Sequence, residues 1–183
     1  MNPSYCRLNV PLSDALKRFA TWNHLAKVGP LIPATVSEAI RLACDDRGMW
    51  RGNAVLISEV AGWTLFEDLS GALGAIPANK WLVFAGMDEI LYVGYNDAIP
   101  YAELVAIRDG RVIREFLDDP GSPEPHINTG AIESEYEPFE CWSDVAGFVD
   151  ADPLGFSEAG LLWVWDRPPA MLELPPDQTD KGR

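Results

Sequence analysis

The spacing of apolar positions changes several times along this chain, and each change marks a different kind of element. Tyr5 to Val10 reads as a short extended lead-in broken by Pro11. Leu16, Phe19 and Ala20 then recur at helical spacing. A helix is predicted from Asp14 to about Trp22, with Ser13 as its cap, because a serine oxygen accepts an early backbone N–H. Gly29, Pro30 and Pro33 read as a loop. Thr35-Val36-Ser37-Glu38 has the form of a capping box, with Val36, Ala39, Ile40 and Ala43 sharing one face of a helix that ends near Gly48.

From Asn53 the period shortens. Ala54–Val60 and Trp63–Leu69 are β-rich runs joined by Ala61-Gly62, which predicts a hairpin. Val55, Ile57, Leu56 and Val60 leave apolar groups on both faces of the first run, so cover on both sides is expected. Pro77 suits the first turn of a helix over Asn79–Ala85 ended by Gly86, although Trp81-Leu82-Val83-Phe84 reads equally well as a strand. Glu89–Tyr95 is a strand, and Tyr101–Asp118 is a hairpin about Asp109-Gly110, a pair that tolerates positive φ. A two-residue turn there sets Arg108 opposite Arg111, and a glycine bulge shifts that pairing. Ile127–Glu137 has little periodicity. Ser143 is expected to cap a short helix through Asp150, with Val145, Phe148 and Val149 inward, and Gly160–Trp165 is a last strand. The class is α+β: a mostly antiparallel sheet of hairpins with helices packed on it.

Length changes this picture little: 183 residues suit one domain, expected over 1–174, with 175–183 a flexible tail. Charge changes it more. The formal net charge is −14, and 13 of the 28 acids lie between Glu115 and Asp166, where no Lys or Arg occurs. The remaining 15 acids face 14 bases, so nearly all the imbalance belongs to one stretch. Such a balance argues against nucleic acid and anionic membranes and favours a basic partner. Cys6, Cys44 and Cys141 are odd in number and far apart, which suits free thiols in a reducing compartment. Met1–Val10 lacks the basic start and apolar run of a signal peptide, and no stretch approaches the roughly 20 apolar residues of a membrane span. A cytoplasmic location is expected.

Aromatic residues thread the acidic stretch: Phe116, Tyr136, Phe139, Trp142, Phe148, Phe156, Trp163 and Trp165. Rings supply contact area and carboxylates steer a basic protein, so the stretch reads as an interface, or as a solvated surface over a core that holds those rings. The candidate partner-binding residues are Asp118, Asp119, Glu133, Glu135, Glu137, Glu140 and Asp144, with Tyr136 and Trp142 as anchors. A glycosidase-like carboxylate pair beside tryptophan is the enzymatic alternative, and a regulatory or scaffold domain holding a small molecule is a third. His24 and His126 have no ligand-spaced companions, and Asp150-Ala151-Asp152 lacks the rest of a calcium loop, so no metal or cofactor is expected. There is no Gly-x-Ser-x-Gly elbow, neither Cys44 nor Cys141 has a His nearby in sequence, and Ser70-Gly71-Ala72-Leu73-Gly74 lacks the lysine of a phosphate loop.

The order of Gly62-Trp63-Thr64-Leu65 on a hairpin, a strand ending at Tyr95-Asn96-Asp97, the hairpin Val105-Ala106-Ile107-Arg108-Asp109-Gly110-Arg111-Val112 and an acidic aromatic region resembles small bacterial immunity proteins encoded beside secreted antibacterial toxins, type VI effectors among them. The resemblance spans Asn53–Asp152. It implies a cytosolic inhibitor of one cognate toxin, without catalysis of its own, that covers a basic groove of a nuclease-type effector by imitating phosphate charge.

Overall fold

The computed structural model describes residues 3–25, 28–121 and 126–165. Along the chain run β1 (Ser4–Leu8), α1 (Leu12–Trp22), β2 (Ile32–Thr35), α2 (Val36–Ala43), β3 (Asn53–Val60), β4 (Trp63–Asp68), α3 (Ala78–Ala85), β5 (Ile90–Asn96), β6 (Tyr101–Arg108), β7 (Arg111–Asp118), β8 (His126–Gly130), α4 (Trp142–Ala151) and β9 (Ala159–Trp165). The fold is α+β. All nine strands form one open antiparallel sheet in the order β2-β9-β3-β4-β1-β5-β6-β7-β8. The first strand joins the two halves of the sheet, pairing with β4 on one side and β5 on the other. No helix among the described residues is long and apolar enough to cross a membrane. The expected tail, 175–183, lies outside the described residues.

Cross-strand registers give each face its cover. One row runs Leu162–Leu56–Glu67–Tyr5–Val93–Leu104–Phe116. Its flanks are two apolar clusters, Leu56 and Leu162 under α2, and Tyr5, Val93, Leu104 and Phe116 under α4. The opposite face packs Phe66, Cys6, Tyr92 and Val105 against α1 and α3. There Phe19 of α1 stacks on Phe66 at 4.8 Å, and Trp81 of α3 stacks on Tyr92 at 4.5 Å. β3 is covered on both sides, as its apolar pattern predicts: Val55 and Ile57 join one core, Ala54 and Leu56 the other.

Both predicted tight turns form, with consecutive positive φ at Ala61-Gly62 (50° and 85°) and Asp109-Gly110 (51° and 66°), the geometry that matches strand twist. Arg108 does lie opposite Arg111. The register then shifts, but at Ile113 rather than at a glycine: Ile107 pairs with Val112 and Ala106 with Arg114. This bulge turns Arg114 and Phe116 to the α4 face; an unbroken register would have sent both to the other side.

Several boundaries differ from the expectations. α1 begins at Leu12 behind Pro11 with no side-chain cap, so Ser13 is inside the helix. The Thr35–Glu38 capping box is present, but α2 stops at Ala43 because a Cys44–Trp50 bridge takes the chain into an extended turn. The expected loop at Pro33 contains β2; a proline is tolerated there because β2 is an edge strand. Trp81–Phe84 is helical. The aperiodic stretch after Ile127 overlaps β8, an edge strand in which Ile127 alone is half-buried, too exposed to show an apolar alternation. α4 starts at Trp142, with Cys141 at the cap position and Asp144 closing the box, so Ser143 is not the cap.

Candidate functional site

Half of the sheet carries α4, and the segment 131–141 leads into that helix from edge strand β8. The candidate residues do not share one patch: Asp118 closes β7 beside the α4 N-terminus, Asp119 borders the cavity next to Glu103 on the other face, and Glu133 lies by Arg108 and Ile113 at the opposite end of β7. Asp118, at the end of β7, accepts the Trp142 amide at 2.9 Å, and Asp144 accepts the Glu140 and Cys141 amides at 2.8 and 3.0 Å. Both carboxylates therefore satisfy orphan N–H groups at the α4 N-terminus, where negative charge is favoured. The amides of Glu140 and Cys141 hold the Asp144 carboxyl below its ordinary value. Asp119 turns the chain by accepting the Gly121 amide at 2.9 Å.

Glu137 is bound into the core. The Arg114 Nε lies 2.8 Å from its Oε1, and the Ile132 and Phe139 amides each donate to it at 3.1 Å. Arg114 also donates to Asn128 and to the Thr129 carbonyl, and its guanidinium lies over the Phe116 and Phe139 rings. The acidic stretch thus draws one of its counter-charges from β7.

Glu133, Glu135 and Glu140 are exposed, and their carboxylates form no hydrogen bond or ion pair among the described residues. Beside them Tyr136 meets Phe148 edge-on at 6.1 Å, and Trp142 packs on the α4 cluster while remaining partly exposed. Glu135 and Tyr136 line a recess of about 270 Å³ with Arg7 and Asp152 at its base. That pair is itself joined at 2.7 Å, and Tyr5 also donates to Asp152. Glu133 borders a neighbouring recess of about 240 Å³ with Trp63, Glu89, Arg7 and Arg108. This is where a tryptophan meets two carboxylates, and Arg108 already engages Glu89 through two nitrogens.

A carboxylate outside the candidate set is more deeply placed. Glu103 on β6 lies in one cross-strand row with Gly94, on the face of α1 and α3. It is 6 % exposed, accepts the Tyr92 hydroxyl at 2.5 Å and the Ala75 amide at 3.1 Å, and has no cationic partner among the described residues. Burial raises its pKa to about 6. Its cross-strand neighbour Gly94 has no room for a side chain, since a Cβ there would approach the Ser4 Cβ to 2.7 Å and the Tyr92 hydroxyl to 3.4 Å. Glu103 separates a cavity of about 320 Å³ next to Tyr95 and Asn96 from one of about 280 Å³ that it shares with Glu115 and Asp119. Nearby, Asp68 accepts the four amides of Ser70 to Leu73, so the glycine-bearing segment resembling a phosphate loop is a turn wound on a carboxylate.

The sequence does carry a trace of Glu103. Tyr101, Glu103, Val105 and Ile107 alternate on β6, and an acid in an inward series of apolar residues is an exception to ordinary burial. Among the described residues, no group of three or more His, Cys, Asp or Glu side chains is arranged to hold a metal ion. Compared with protein-family models, curated proteins and solved structures, this chain has no match.

Proposed function

We propose that this protein is a non-enzymatic acidic binding protein, and specifically an immunity protein that neutralises a cognate antibacterial toxin in the cytoplasm by covering a basic surface of it. The observation that carries this reading is the division of labour among the acids around α4. Asp118, Glu137 and Asp144 are spent on helix ends and a buried ion pair. Glu133, Glu135 and Glu140 stay exposed, Glu135 in one recess with Tyr136 and Glu140 two residues before the half-buried Trp142. Exposed carboxylates around aromatic anchors suit a partner with lysines and arginines on its rim. The class of partner comes from the resemblance of the chain's layout to immunity proteins.

Hydrolysis of a glycan, the competing reading, needs two carboxyls facing each other across a cleft, one as acid and one as base or nucleophile. In the Trp63 recess one of the two, Glu89, is already held by Arg108.

The test is co-expression with the toxin encoded in the neighbouring reading frame, scored for rescue of growth and for co-purification. The triple variant E133K/E135K/E140K is expected to associate more slowly, by roughly tenfold or more at low salt, and with a flatter salt dependence. Unchanged association would remove the α4 face as the contact, and absence of rescue by the unaltered protein would overturn the immunity reading.

A further inference from the structure

A roomy cavity lies on the side of the molecule that carries α1 and α3, away from α4. It measures about 680 Å³, within the range of small-molecule sites. Trp22 and Phe84 form its floor, stacked at 4.9 Å, and the Trp22 indole N–H is fixed by the Lys80 carbonyl at 3.0 Å. Val83 and Met87 border it at 75 % and 72 % exposure, so the aromatic floor continues into an exposed apolar rim.

The charge around this cavity opposes that of the molecule. Lys17, Arg18 and Lys80 line it against one carboxylate, Asp88, on a chain of net charge −14. Arg18 is already committed: it reaches Asp88 at 2.7 Å and the Ala85 carbonyl at 3.0 Å, and so ties α1 to the end of α3. Lys17 has only a loose partner, exposed Asp14 at 3.3 Å, and the Lys80 ammonium has none among the described residues. Two lysines thus stand at the rim of an aromatic floor with apolar walls.

We infer that this cavity binds a single-chain amphiphilic anion, a carboxylate on an acyl or flat apolar body, with the body on Trp22, Phe84, Val83 and Met87 and the carboxylate between Lys17 and Lys80. A free molecule is favoured over a bilayer headgroup because the other face carries the exposed carboxylates, which an anionic membrane repels. The inference stands apart from toxin binding, for it uses neither α4 nor any residue of the acidic stretch.

Dodecanoate below its micelle concentration is the probe, with dodecyltrimethylammonium as the cation of equal chain length, and binding is followed by calorimetry and by the Met87 methyl resonance. Saturable dodecanoate binding that shifts Met87, about tenfold tighter than the cation, is expected. The variant K17Q/K80Q should lose about tenfold toward dodecanoate, keep its affinity for the cation and melt at the same temperature, since both side chains are exposed. Equal affinity for the two chains, an unperturbed Met87, or tighter association with phosphatidylglycerol vesicles than with dodecanoate would overturn the inference.

Discussion

Arg114 is 1 % exposed, and its Nε donates to Glu137 at 2.8 Å across the join between β7 and the segment leading to α4. Removing one member of such a pair strands the other charge in the core. Glu137→Ala is therefore expected to destabilise the fold by about 3–5 kcal/mol. Urea unfolding measures this. A loss under about 1 kcal/mol would mean that the pair is dispensable and that Glu137 is available to a partner.

Asp118 holds the first amide of α4, that of Trp142, and Asp144 holds the two amides just before it, those of Glu140 and Cys141. Each single change to Ala should cost about 1 kcal/mol, the usual worth of an N-cap. The two losses should not add, since both act on the same helix end. Association with the proposed toxin partner, measured on the same variants at a temperature where they remain folded, should change far less than for E133K/E135K/E140K.

Glu103 links stability to pH. In the unfolded chain it ionises near its ordinary value of 4.5, while in the fold it keeps its proton to about 6. Between those values the folded state binds more protons, so stability falls as pH rises from about 4.5 to about 6 and is level above. The raised pKa corresponds to about 2 kcal/mol. Glu103→Gln, which still accepts from Tyr92 and Ala75, should remove that fall, as seen in urea midpoints taken across the window. Burial raises the carboxyls of Glu67 and Asp68 in the same direction, so a residual slope of the same sign should persist in the variant.

Gly130 ends β8 with φ +74°, and a Cβ there would lie 1.9 Å from the Ile113 carbonyl oxygen, at the bulge. Gly130→Ala combines left-handed backbone with a collision against main chain that cannot swing away. A loss of at least about 1–3 kcal/mol is expected in thermal or urea unfolding. Gly71→Ala has open space around its Cβ and bears only the backbone strain, so it should lose less.

Local chemistry was enough to write many of the elements. The Thr35–Glu38 box, the Ala61-Gly62 and Asp109-Gly110 turns and the two-sided apolar pattern of β3 depend on residues within a few positions of one another, whereas Trp81–Phe84 read equally well as helix or strand until the fold showed it as α3. The concentration of charge between Glu115 and Asp166 was equally plain. What each acid does there was not, because capping, ion pairing and exposure depend on residues far along the chain: Asp118 meets Trp142, Glu137 meets Arg114, and Arg7 meets Asp152.

The sequence alone thus determined the class of fold, most of its turns and the location of its excess charge, since each follows from short-range backbone preference or simple counting. Tertiary structure decided the rest. The bulge at Ile113 chose the face on which Arg114 and Phe116 lie, and pairing across the sheet placed Glu103 beside Gly94 and Tyr92. A strand repeats every two residues, so one extra residue reverses every side chain after it, and no local pattern shows which register packing will favour.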